Sequence, residues 1–177
     1  MSSVKGCWVE RCKKMENLFV SSSPSSLEIL WVSNLPLLKR LDSGGNGGSA
    51  VFKNLKKLSI DCCRNIETLF QGASQVPENL EVLRVKFCDQ LKKLFDVEEA
   101  GELPNLRKLY LLDLPVLSSD GVKFRSLEKY TKDKCPRFTA TLEELKIGTA
   151  KTEEASSSKE DQTRKDTAPE IQTTGPV

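Results

Sequence analysis

Histidine is absent from the 177-residue chain, and with it go Ser-His and Cys-His catalytic pairs, histidine-bearing zinc sites and the usual general base near neutral pH. Long apolar runs are missing too. None reaches the about 18 residues that a membrane-spanning helix needs, and Met1 to Glu10 holds no apolar signal-peptide core. There is no Asn-x-Ser/Thr acceptor and no lipidation signal at either end. Nor is there a dominant sign of charge: 27 Lys and Arg against 25 Asp and Glu leave a net charge of +2, without the strongly basic balance that marks nucleic acid as the main ligand. Together these absences predict a cytoplasmic or nuclear protein with no membrane span and no nucleic-acid partner. Aromatics are scarce at 6%, with two Trp and two Tyr, so their positions carry information.

What the chain has instead is self-similarity. The pattern L-x-x-L-x-L-x-x-C/L-x-x-L is clearest at Leu80, Leu83, Val85, Cys88, Leu91, Leu94 and Phe95. It recurs upstream at Leu55, Leu58, Ile60, Cys63, Ile66, Leu69 and Phe70, and before that at Leu27, Leu30, Val32, Leu35, Leu38 and Leu41. Val4, Cys7, Val9, Cys12, Met15, Leu18 and Phe19 fit the same frame. Downstream come Leu106, Leu109, Leu111, Leu114 and Leu117, then a degraded copy at Leu127, Tyr130, Cys135 and Phe138, with Lys132 where an aliphatic belongs. The first positions are 23, 28, 25, 26 and 21 residues apart, the spacing of a leucine-rich repeat. The longest step contains Gly44-Gly45-Asn46-Gly47-Gly48-Ser49, read as a flexible insertion.

The expected fold class is therefore α/β: a leucine-rich repeat solenoid of about six repeats. Each L-x-L element is a short strand with its apolar side chains inward. The strands form a parallel sheet on the concave face, and each repeat returns over an irregular, 3₁₀ or short helical convex side. Leu142, Leu145 and Ile147 begin too soon after Leu127 for another full repeat and are expected to form a terminal strand closing the stack. The solenoid is placed at residues 1–148. Residues 149–177, rich in Lys, Glu, Asp, Ser and Thr, are expected to be a disordered tail, because they cannot bury enough apolar surface to offset ordering entropy.

Candidate chemistry dissolves in this frame. Four of the six cysteines, Cys12, Cys63, Cys88 and Cys135, share one repeat position in the turn after the strand, which favours structural thiols over a zinc site. The glycine run lacks the Lys-Ser/Thr of a phosphate-binding loop. Acidic pairs such as Glu98-Glu99, Glu143-Glu144 and Glu153-Glu154 have no sequence-visible burial to make them general acids or bases. No catalytic residue, metal ligand or cofactor is assigned, and the chain is read as a non-enzyme.

The outward strand positions are the informative ones. Between the two inward residues of each strand lie Trp8, Trp31, Ser59, Arg84, Tyr110 and Thr131. Two residues earlier stand Gly6, Ile29, Lys57, Val82, Lys108 and Lys129; two residues later stand Glu10, Ser33, Asp61, Lys86, Leu112 and Asp133. An aromatic N-terminal end grades into a basic middle, and Trp, Tyr and Arg are enriched in binding hot spots. Trp8, Trp31, Lys57, Arg84, Lys86, Lys108 and Tyr110 are the candidate partner-binding residues.

The stretches Asn79 to Phe95 (NLEVLRVKFCDQLKKLF) and Leu103 to Leu111 (LPNLRKLYL), with the closing Cys135-Pro136, resemble the repeats of plant intracellular nucleotide-binding, leucine-rich-repeat disease resistance proteins of the coiled-coil class. That resemblance covers Val4 to Ile147. It implies protein–protein interaction in plant defence: recognition of a pathogen effector or guarded host protein, or an autoinhibitory contact with the receptor's nucleotide-binding domain. Nucleotide binding is not implied, since no G-x-x-x-x-G-K-[S/T] occurs. Two alternatives are the substrate-recognition repeats of a ubiquitin-ligase adaptor, for which no F-box precedes Val4, and a truncated receptor fragment without function of its own. No cap-like segment precedes Val4, so the first repeat is expected to expose an apolar edge. Light scattering of the isolated chain at tens of micromolar is expected to show self-association; a monodisperse monomer overturns that expectation.

Overall fold

In the computed structural model, which describes residues 4–19, 26–42, 52–71, 76–96 and 103–146, the apolar period of two in each L-x-L element becomes a strand. In chain order the elements are β1 (Gly6–Glu10), β2 (Asn17–Phe19), β3 (Ile29–Ser33), β4 (Arg40–Asp42), β5 (Lys57–Asp61), β6 (Thr68–Gln71), β7 (Val82–Lys86), β8 (Lys93–Asp96), β9 (Lys108–Leu112), β10 (Lys129–Asp133) and α1 (Leu142–Leu145). The six L-x-L strands form one sheet in the order β1-β3-β5-β7-β9-β10, every pair parallel. The expected leucine-rich repeat solenoid is thus the observed architecture. The glycine insertion and the tail lie outside the described residues.

Register follows from the repeat. Leu30 pairs with Leu58, Leu58 with Leu83, and Leu83 with Leu109, so equivalent residues stand side by side. Their side chains point inward with those of Val32, Ile60, Val85 and Leu111, all at most 2% exposed. The sixth copy is the exception. Its inward Tyr130 is half-buried and Lys132 is exposed, with its Nζ donating to the Phe138 carbonyl at 2.6 Å. The lysine thus turns out of the stack and bonds to backbone.

The opposite side differs from expectation. In place of helical or 3₁₀ turns, it carries short strands that pair in parallel, β2 with β4 and β6 with β8. Asn17-Leu-Phe, Thr68-Leu-Phe and Lys93-Leu-Phe are again two-residue alternations, and their phenylalanines stack through the turns. Phe19 meets Phe52 edge-on at 6.0 Å, Phe52 meets Phe70 at 6.4 Å, and Phe70 stacks on Phe95 at 5.7 Å. Phe52, which the repeat frame does not place, is buried and fills the spine where the second copy has Asp42 in register with Phe19.

A polar ladder ties successive turns together. The residue just before each first leucine reaches back to a carbonyl of the previous repeat: Ser26 Oγ to Val4, Asn79 Nδ2 to Lys53, Asn105 Nδ2 to Glu78 and Ser126 Oγ to Pro104, at 2.7 to 3.0 Å. Each satisfies a backbone acceptor that the strands leave free.

The two ends of the described stack are unlike. At the C-terminal end the expected strand is instead a single helical turn, α1. Thr141 and Glu144 form a reciprocal cap, with Glu144 N–H donating to Thr141 Oγ1 at 3.3 Å and Thr141 N–H donating to Glu144 Oε2 at 2.8 Å. That Thr-x-x-Glu spacing favours a helix start over a strand, and the bonds hold the Glu144 carboxyl below its usual range. Leu145 is fully buried, and its carbonyl accepts from Phe124 N–H at 2.6 Å. Ile147 lies outside the described residues. At the N-terminal end Cys7, Val9, Cys12, Met15, Leu18 and Phe19 are only half-buried. Their counterparts in the next repeat, Leu30 to Leu41, are at most 2% exposed.

This asymmetry predicts unequal costs for one substitution made at one repeat position. Leu94→Ala, at a fully buried site, is expected to cost about 2–5 kcal/mol in urea unfolding, and Leu18→Ala less than half as much. Equal losses overturn the reading.

Candidate interaction face

The strands present their outward residues in three straight columns, because parallel pairing in register sets Trp8 beside Trp31, Trp31 beside Ser59, Ser59 beside Arg84, Arg84 beside Tyr110 and Tyr110 beside Thr131. All seven candidate residues, Trp8, Trp31, Lys57, Arg84, Lys86, Lys108 and Tyr110, line one hollow of about 660 Å³ on this face. The frame therefore brings together side chains drawn from five of the six main-sheet strands.

At the N-terminal side both tryptophans stay open to solvent, Trp8 at 61% and Trp31 at 45% exposed. No stacked or edge-on ring pair joins them among the described residues, so they do not simply pack on each other. Trp8 lies across Gly6, two residues earlier on its own strand. A Cβ at Gly6 would stand 2.5 Å from the indole Cζ3, so only glycine lets the ring lie flat there. Ile29 and Val82 extend this apolar end.

The other side is cationic. The Arg84 guanidinium stands 4.9 Å from the centre of the Tyr110 ring, and Lys129 Nζ stands 5.8 Å from it, both within cation–π range. Lys129 belongs to the same set, although the sequence reading placed it in a column without singling it out. Seven ion pairs join described residues, among them Lys5–Glu28 and Lys56–Glu28 away from the hollow and Arg107–Glu128 in its lining. Lys57, Arg84, Lys86, Lys108 and Lys129 pair with no carboxylate among the described residues. Glu81, Arg107 and Glu128, each just before a strand, also line the hollow; the columns alone gave no signal for them, since they lie one step outside the strand.

Beyond the strand ends the chain turns through a left-handed residue at Arg11, Asn34, Cys62, Phe87, Asp113 and Lys134, all with φ between 52° and 58°. The cysteine that follows in four copies donates its thiol back across the turn. Cys12 Sγ bonds the Glu10 carbonyl, Cys63 that of Asp61, Cys88 that of Lys86 and Cys135 that of Asp133, at 3.2 to 3.6 Å. These thiols hold turns. Burial pushes Cys63 up to about 11 and Cys88 up to about 12, and raises Cys135 as well. Cys62 is raised too, first by burial and then by the neighbouring Asp61 carboxylate. Phe87, at 40% exposure, is a bulky side chain in a conformation such residues rarely adopt, and the leucine pattern does not predict its exposure.

A parallel stack of L-x-L strands with a cysteine-bearing turn and an open strand face defines a leucine-rich repeat protein. The family described as "Plant disease resistance protein RPS2-like, leucine-rich repeats" matches residues 26–142, and the chain belongs to it. The Arabidopsis thaliana protein named "Putative disease resistance protein At4g19050" is 56% identical over 182 residues, covering 98% of this chain and 14% of its own length. "Probable disease resistance protein At5g45510", from the same plant, is 37% identical over 70 residues, 38% of this chain and 5% of that relative. The chain thus spans a small part of the length of either relative. No solved structure matches it.

The turn thiols yield a pH prediction. The thiolate is the reactive form, so Cys63 and Cys88 are expected to resist iodoacetamide at pH 8 in the folded chain and to react on unfolding. Their pKa values are higher folded than the ordinary 9.0, so their protonated forms stabilise the fold below pH 9. That contribution fades as pH climbs through the folded values of about 11 and about 12. Mass spectrometry of labelled peptides checks it; equal labelling of all six thiols at pH 8 overturns it.

Proposed function

We propose that the strand face binds a protein ligand in plant defence: a pathogen effector, or a host protein that the receptor guards. The observation that carries this reading is the presence of solvent-open Trp8 and Trp31 in the lining of one hollow with Lys57, Arg84, Lys86 and Lys108, which have no carboxylate partner among the described residues. A rigid, desolvatable surface of aromatic and guanidinium groups is what a protein hot spot requires. Interaction, with no reaction and no cofactor, is the role this surface supports, and a reducing compartment, cytoplasm or nucleus, suits its six free thiols.

A second reading has its own support. The chain spans 14% of the length of its 56% identical relative, and in a protein of that length the same face would have the rest of its own chain within reach. An autoinhibitory contact with a nucleotide-binding domain would use the same residues, and a partner map would show which is occupied.

Simultaneous alanine at Trp31, Arg84, Lys86 and Tyr110 tests both. In proximity labelling in plant cells, the proteins marked by the natural chain are expected to fall at least about tenfold with the fourfold variant, since truncated hot-spot residues each cost about 2 kcal/mol or more. The unfolding midpoint is expected to stay nearly the same, because all four side chains face outward. An unchanged set of labelled proteins overturns this reading.

A further inference from the structure

We infer that the occupant of the strand face is an extended acidic polypeptide segment, with an aliphatic or aromatic side chain seated on the tryptophans and carboxylates over the cationic cluster about four residues further along. This rests on the protein-binding reading above and deepens it.

Charge complementarity is the first argument. Lys57, Arg84, Lys86, Lys108 and Lys129 come from β5, β7, β9 and β10 and project from one face. They stand without a carboxylate among the described residues, while lysines such as Lys39, Lys56 and Lys92 are paired at 2.8 to 3.1 Å. Like charges gathered this closely repel one another, and an incoming row of anions relieves that repulsion. Arg84 is already held over Tyr110, so its fork loses less freedom on meeting a carboxylate.

Geometry sets the length of the ligand. Neighbouring strands lie about 4.8 Å apart and an extended chain advances about 3.3 Å per residue. The three strand steps from Trp31 on β3 to Tyr110 on β9 therefore span about 14 Å, or about four residues of extended ligand. The face offers an apolar seat at Trp8, Ile29 and Trp31 and an anion seat at Arg84, Lys108 and Lys129, at a fixed separation.

Between a polypeptide and a nucleic acid, the lining favours the polypeptide. Asp61, Glu81 and Glu128 interrupt the cations around the hollow. A phosphodiester chain carries a charge at every residue and would meet these carboxylates, whereas a peptide can put neutral residues opposite them and acidic ones opposite the cations.

The test uses the intact chain and its own fluorescence, whose tryptophans are Trp8 and Trp31 alone. The probe is a synthetic nine-residue peptide with one leucine, then three serines, then four aspartates and a terminal glycine. Its controls are the peptide with asparagine in place of every aspartate, and a single-stranded oligothymidylate of nine nucleotides. The aspartate peptide is expected to change the tryptophan emission saturably, with a dissociation constant of about 10–100 µM at low salt, weakening about fivefold or more at 300 mM salt. The asparagine peptide and the oligothymidylate are expected to bind at least about tenfold more weakly, as is the aspartate peptide to the Arg84→Glu, Lys108→Glu double variant. Equal binding of the two peptides, tighter binding of the oligonucleotide, no saturation by the aspartate peptide, or indifference to the charge reversal overturns the inference. If the peptide fails while the fourfold alanine variant still loses its labelled proteins, the acidic-ligand inference falls alone; if the alanine variant loses none, the protein-binding reading falls as well.

Discussion

Each strand of the main sheet ends in one left-handed residue, and the order of the stack depends on that turn. Arg11, Asn34, Cys62, Phe87 and Asp113 each donate a backbone N–H to the last carbonyl of the next strand, at 2.9 to 3.1 Å. Asn and Asp tolerate this conformation, but for Arg, Cys and Phe it costs about 1–2 kcal/mol apiece. The cost is carried by the neighbouring repeats, through the ladder bond, the thiol that closes the turn behind it and the apolar residues locked below. A lone repeat has none of these partners, so the turns and the stack form together.

From that repeated turn comes register, and from register comes the face. Because the chain leaves every strand at the same point, equivalent residues align across six strands, and side chains about 25 residues apart in sequence become neighbours about 4.8 Å apart. A substitution at one outward position therefore changes the face locally without moving the core beneath it.

The two ends show what neighbours contribute. Inner repeats bury the leucines of the repeat frame, whereas the first copy keeps its apolar residues half open and the last abandons the pattern for Tyr130, Lys132 and a capped helical turn. Tyr130 keeps a buried hydroxyl with no partner among the described residues, and burial pushes its pKa up to about 12. Departures from the repeat collect at the two ends of the described stack, where a repeat has a described neighbour on one side.

The sequence by itself determined the repeat class, the inward and outward positions, the pairing register and the shared place of four cysteines, because each follows from a local period that every copy repeats. The seven candidate residues were legible for the same reason, as members of columns. Only the tertiary structure decided which cations stand unpaired among the described residues, that Arg84 and Lys129 meet Tyr110, that Trp8 lies over Gly6, and that Phe52 completes a spine of phenylalanines. It also turned the expected terminal strand into a helix and the return segments into short parallel strands. These depend on distances between side chains of different repeats and on competition between local caps and ladder bonds, and a one-dimensional pattern carries neither.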